Sequence, residues 1–119
     1  MKERTITIQG KEVALLYCAA TENGFEDLCN KGIRELNFNS QKELIMLGLC
    51  AIVAAYSRRG EEPPITSDTL LYHSTPQELS ELIRVTLELS QEWYGIPKVV
   101  ADTLEKEQQD IDPEEQPKN

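Results

Sequence analysis

Residues 44–56, "LIMLGLCAIVAAY", run for thirteen positions without a charged side chain. The run is too short to cross a bilayer, which takes roughly 20 apolar residues. As a helix it is apolar on every face, so no side can simply point at water. Either the rest of the chain covers it or a partner does. With 119 residues, the chain has the length of one domain, which buries roughly two thirds of the surface its unfolded form exposes. That suffices for one core, so the question becomes how much of this helix the chain can cover.

The ends of the helix are well marked. Ser40-Gln41-Lys42-Glu43 has the S-x-x-E pattern in which a hydroxyl and a carboxylate cap the first turn. Arg58 and Arg59 put cations at the C-terminal end, and Gly60 suits the left-handed residue that follows. The spacing therefore predicts a helix over 41–59, and Glu61-Glu62-Pro63-Pro64 reads as a stiff, exposed connector.

Four elements are available to surround it. Residues 4–17 alternate as a β-hairpin, with Ile6 and Ile8 on one face, Val13, Leu15 and Tyr17 in the return strand, and a turn at Gln9-Gly10-Lys11. An isolated hairpin is marginal in water, so this one must lie on helices or pair with another chain. Residues 20–31 predict a short helix with Thr21 as N-cap, a Phe25, Leu28, Cys29 stripe and Gly32 as C-cap. A short helix is expected over 66–73. A longer one begins at Thr75-Pro76-Gln77-Glu78, a second capping box with proline in the first turn, and runs to Tyr94. Its apolar stripe is Leu79, Leu82, Ile83, Thr86, Leu89 and Trp93. The fold class is mainly α (α+β): a small helical domain over 1–97 with an N-terminal β-hairpin. An acidic tail, 98–119, follows, and its composition predicts disorder.

Charge narrows the function. Residues 1–59 carry a net charge of +1 and residues 60–119 carry −10. So acidic a half repels phosphate, which argues against nucleic acid. The N-terminus has no apolar leader and the chain has no membrane-spanning run, which points to the cytoplasm. Cys18, Cys29 and Cys50 lack C-x-x-C spacing and read as reduced, buried thiols, Cys29 and Cys50 inside apolar helical patterns.

A catalytic constellation is hard to assemble. His73 is the single histidine, and the serines near it, Ser67 and Ser74, sit where helices are capped. No phosphate-binding glycine loop, H-E-x-x-H or calcium-loop pattern occurs. The reading is of a non-enzymatic protein with no cofactor and no metal. Its function lies instead in surplus apolar surface. Ile45, Leu49, Ile52 and Val53 are expected in the core. Leu44, Leu47 and Tyr56 are expected to line a surface for a client or a second copy of the chain. Gly48, Ala51, Ala54 and Ala55 permit close approach, either of a partner or within the monomer.

The order of parts has a precedent. An opening "I-x-I-x-G-K-E-x-x-L-x-Y" hairpin, a helix ending near a glycine, a long apolar helix, "ITSDTLLYHSTPQELSELI" and a polar tail follow one another over residues 4–97. This arrangement resembles the tail assembly chaperones of long-tailed phages and prophages. The resemblance implies a host-cytoplasmic protein that binds the tape-measure protein and keeps its long helical chain soluble until tail-tube subunits polymerise around it. It also implies a longer form made by ribosomal frameshifting that recruits the tube protein. Pro117-Lys118-Asn119 is compatible with a slippery A-AAA-AAC heptamer. The alternative is a small acidic adaptor or regulatory subunit for a basic protein partner.

Overall fold

The computed structural model describes residues 2–95. Its elements are β1 (Glu3–Ile8), β2 (Lys11–Leu16), α1 (Ala19–Cys29), α2 (Gln41–Arg59), α3 (Ser67–His73) and α4 (Pro76–Trp93), with a 3-10 turn at Ile33–Glu35 between α1 and α2. The mainly helical fold with an N-terminal hairpin is as expected. The tail at 98–119, the domain boundary beside it and the Pro117-Lys118-Asn119 site lie outside the described residues.

β1 and β2 pair antiparallel with Ile6 opposite Val13 and Ile8 opposite Lys11. The connection is therefore only two residues, Gln9 and Gly10, both at positive φ (54° and 76°). Positive φ at both central positions matches the twist of a tight hairpin, and glycine adopts it without strain. β1 alternates as predicted, with Ile6 and Ile8 buried and Thr5 and Thr7 exposed. β2 departs from its expected alternation: Val13, Ala14, Leu15 and Leu16 are all buried. Packing on both faces of the strand overrides the period.

The tail of this hairpin organises α1. Thr21, expected as the N-cap, lies inside the first turn and is fully buried. Its hydroxyl donates to the Leu16 carbonyl at 2.7 Å, and the Cys18 amide donates to its Oγ1 at 3.2 Å. Cys18 is the residue at the cap. The helix ends at Asn30, which adopts the left-handed conformation two residues before the expected Gly32.

α2 spans the predicted residues. The Glu43 amide donates to Ser40 Oγ at 3.2 Å, and Gly60 closes the helix at φ 72°. The Glu43 carboxylate does not return to the cap. It accepts from the Asn37 amide at 2.8 Å and pairs with Lys31 at 2.9 Å, tying the end of α1 to the start of α2. With Lys31 beside Glu43 and Gly24 beside Cys50, the two helices run in opposite senses. α3 is capped by Thr66, and α4 by the reciprocal Thr75–Glu78 pair. The second Glu78 oxygen accepts the Gln9 amide at 2.9 Å, so one carboxylate holds both the helix start and the hairpin turn.

The chain covers its own apolar helix almost completely. Eleven residues of α2 are buried, including eleven of the thirteen in the uncharged run. β2, α1 and α4 surround it. Gly48 lets α4 close in: a Cβ there would stand 2.7 Å from Leu82 Cγ. Gly24 does the same for α1, with Cys50 Sγ 3.3 Å from where a Cβ would be. The opening question resolves in favour of the monomer, with one exception on the face between α1 and α2.

Candidate functional site: a groove between α1 and α2

The exception is Val53. Expected in the core, it is 44% exposed. Leu28, expected on the buried stripe of α1, is 52% exposed. The two face a common groove of about 520 Å³ lined by Ala20, Gly24, Asp27 and Leu28 from α1 and by Leu49, Cys50, Val53, Ala54 and Ser57 from α2. Positions 20, 24 and 28 are one helical row, and 49, 53 and 57 are another. Small residues, Ala20, Gly24 and Ala54, leave the floor low. Leu28, Leu49 and Val53 supply the apolar walls. Over the eight steps from Ala20 to Leu28 the groove is about 12 Å long, at 1.5 Å per residue. Asp27 at one end has no ion-pair partner among the described residues.

The surface expected from Leu44, Leu47 and Tyr56 is not formed. Leu47 is 1% exposed. Tyr56 is committed to the fold: its hydroxyl accepts the Ala14 amide at 3.1 Å, and the Arg59 guanidinium lies 5.0 Å over its ring. Leu44 is half-buried and contributes nothing to the groove. An all-round apolar helix has no wet face to read, so the outward direction depends on which neighbours pack against it. Nor did sequence mark Leu28, which reads as part of a buried stripe with Phe25 and Cys29.

A second hollow of about 460 Å³ is lined by Lys2, Tyr17, Leu89, Glu92 and Trp93. Trp93, expected at the end of the buried α4 stripe, is 40% exposed and lines this hollow, while Val85 takes a core position. Above α1, Tyr17 and Tyr94 both donate their hydroxyls to Glu22 Oε2, the first at 2.8 Å. Burial raises the Tyr17 pKa, and the Glu22 carboxylate raises it further. For Tyr94 the hydrogen bond to Glu22 is the main cause of its upward shift. Both phenols stay protonated at neutral pH and act as latches, not as bases.

Cys29 and Cys50 are not activated nucleophiles in this arrangement. Burial pushes the Cys50 thiol up to about 11, and burial also raises Cys29. A thiol held neutral is a poor nucleophile. Ser74 Oγ accepts from Gln9 Nε2 at 3.3 Å and thereby supports the hairpin turn rather than His73. Among the described residues no group of three or more His, Cys, Asp or Glu is placed to hold a metal ion. Among them, too, no helix is long and apolar enough to cross a membrane.

Comparison adds no relative. No family model matches the chain, and neither a curated protein nor a solved structure matches it. The groove must be read from its own chemistry. It is shallow, apolar-walled, small-floored and two helical turns long, dimensions that suit one face of an amphipathic helix.

Proposed function

We propose that the chain is a non-enzymatic tail assembly chaperone of the long-tailed phage and prophage class. In this reading it acts in the host cytoplasm and binds helical segments of the tape-measure protein, holding them soluble while the tail tube assembles. The observation that carries the reading is the open groove between α1 and α2 in a domain that otherwise encloses its longest helix. A helix presenting apolar side chains at i, i+3, i+4 and i+7 lays that face against such a groove. The net charge of −9 supports the role by keeping a complex with an aggregation-prone client dispersed.

The test is co-expression of the full chain with the tape-measure protein encoded in the same phage or prophage genome. The soluble fraction of the client is then measured. It should rise with the unaltered chain and fall back with a Leu28→Asp, Val53→Asp double variant, both changes being at exposed positions. A client that is equally insoluble with and without the chain would overturn the reading.

A further inference from the structure

We propose that the groove between α1 and α2 takes a basic amphipathic helix: two apolar residues four apart, with a lysine or arginine three residues further on that pairs with Asp27. The apolar walls accept many helices, and the carboxylate at one end selects among them. Asp27 is exposed, lines the groove and has no ion-pair partner among the described residues. The groups around it are engaged elsewhere. Lys31 is held by Glu43 at 2.9 Å. The Glu26 carboxylate accepts the Ile33 amide at 3.1 Å, on the loop that follows α1. The last turn of α1 holds no basic residue, so the partial negative charge of the helix C-terminus adds to that of Asp27 instead of being offset. A partner that covered this carboxylate with apolar or acidic side chains would strip it of water and return nothing, so the groove rejects such a partner as well as favouring a cation.

The spacing of the lining residues gives the pattern. Along α1, Gly24 lies about 6 Å from Ala20 and Asp27 about 10 Å from Ala20, at 1.5 Å per residue. A partner helix running in the same sense as α1 therefore sets residue i over Ala20 and Ala54, residue i+4 over Gly24 and Cys50, and residue i+7 level with Asp27. These three positions share one helical face. This sense also places the cation toward the C-terminal side of the partner, where the partner's own dipole favours it. At longer range, the net charge of −9 draws a basic helix in. A second copy of the chain is the poorer occupant. A stable dimer interface takes about 20–30 residues a side, and nine line this groove.

Which protein the helix belongs to rests on the client reading above, whereas the pairing is measured with peptides alone. The full chain is titrated against two fluorescein-labelled, alanine-rich helical peptides of identical composition. Each has leucines at i and i+4 and one lysine, at i+7 in the first and on the opposite face, at i+9, in the second. Fluorescence anisotropy should give the i+7 peptide a dissociation constant about two- to fivefold lower, the range of a partly exposed ion pair. The difference should vanish in Asp27→Asn, a change at an exposed position. On binding, the methyl resonances of Leu28, Leu49 and Val53 should shift while those of Leu71, on α3, do not. Equal constants for the two peptides, a preference that survives Asp27→Asn, or no binding of either peptide would overturn the proposal. Groove methyls that shift with protein concentration before any peptide is added would also overturn it, because they place a second copy in the groove. A client kept soluble by a chain that shows no lysine preference leaves the chaperone reading standing and removes this one. A lysine preference beside an insoluble client does the reverse, so the two readings fall separately.

Discussion

Gly48 offers the sharpest test of how α2 and α4 are packed. In the middle of a helix, glycine costs about 1 kcal/mol relative to alanine, so Gly48→Ala at an open position would stabilise by that amount. Here the added Cβ meets Leu82 at 2.7 Å from Cγ and 3.0 Å from both Cδ atoms. Leu82 is fully buried, and its branch point, not its far end, is in the way. Overpacking of this kind costs roughly 1–3 kcal/mol, because a close-packed core yields little. The clash wins, and Gly48→Ala should destabilise by about 1 kcal/mol net, a fall in Tm of roughly 4–8 °C for a domain of this size. The decisive measurement is the same substitution in a Leu82→Ala background, followed by urea unfolding. Removing the leucine costs about 2–5 kcal/mol by itself. It also removes the obstacle, so adding Gly48→Ala should now stabilise by up to about 1 kcal/mol. The sign of the effect should reverse between backgrounds. If Gly48→Ala stabilises the unaltered chain, or has the same sign in both, the close contact does not constrain the packing and the reasoning fails.

Further substitutions probe other parts of the argument. Thr21→Val should cost about 1–3 kcal/mol, because it leaves the buried Leu16 carbonyl and Cys18 amide without their shared partner; Thr21→Ser should restore most of that in thermal melts. Leu47→Asp should abolish the folded circular dichroism signal, since an unpaired buried charge costs several kcal/mol, whereas Val53→Asp, at an exposed position, should shift stability by no more than about 0.5 kcal/mol. Hydrogen bonds from the Gln9 amide and then the Thr75 amide hold the Glu78 carboxyl below the usual carboxylate range. A depressed folded pKa contributes stability above the unfolded value and loses it as pH falls through the folded one. Glu78→Gln should therefore be less stable than the unaltered chain at neutral pH, with the gap closing in acid; a gap that does not change with pH would contradict the assignment.

The boundaries of α2 and α4 and the hairpin turn were determined by sequence alone, because the interactions behind them are local. Ser40 with the Glu43 amide, Thr75 with Glu78, Pro76 in the first turn and Gly60 at the end all act within four residues. Where the decisive partner lies on another element, the local reading fails. Thr21 reads as a cap until the Leu16 carbonyl claims its hydroxyl, and Glu78 reads as half of a capping box until it also binds Gln9, 69 positions away. The groove lies further still from what sequence can decide. The surplus of apolar surface on 44–56 was legible, but its direction was not: a helix apolar all round presents the same pattern whichever side faces out. Only the placement of β2, α1 and α4 buried Leu47 and Tyr56 and turned Val53 outward beside Leu28. Packing chose the face because three neighbours cover most of the helix and, among the described residues, leave a strip open beside α1.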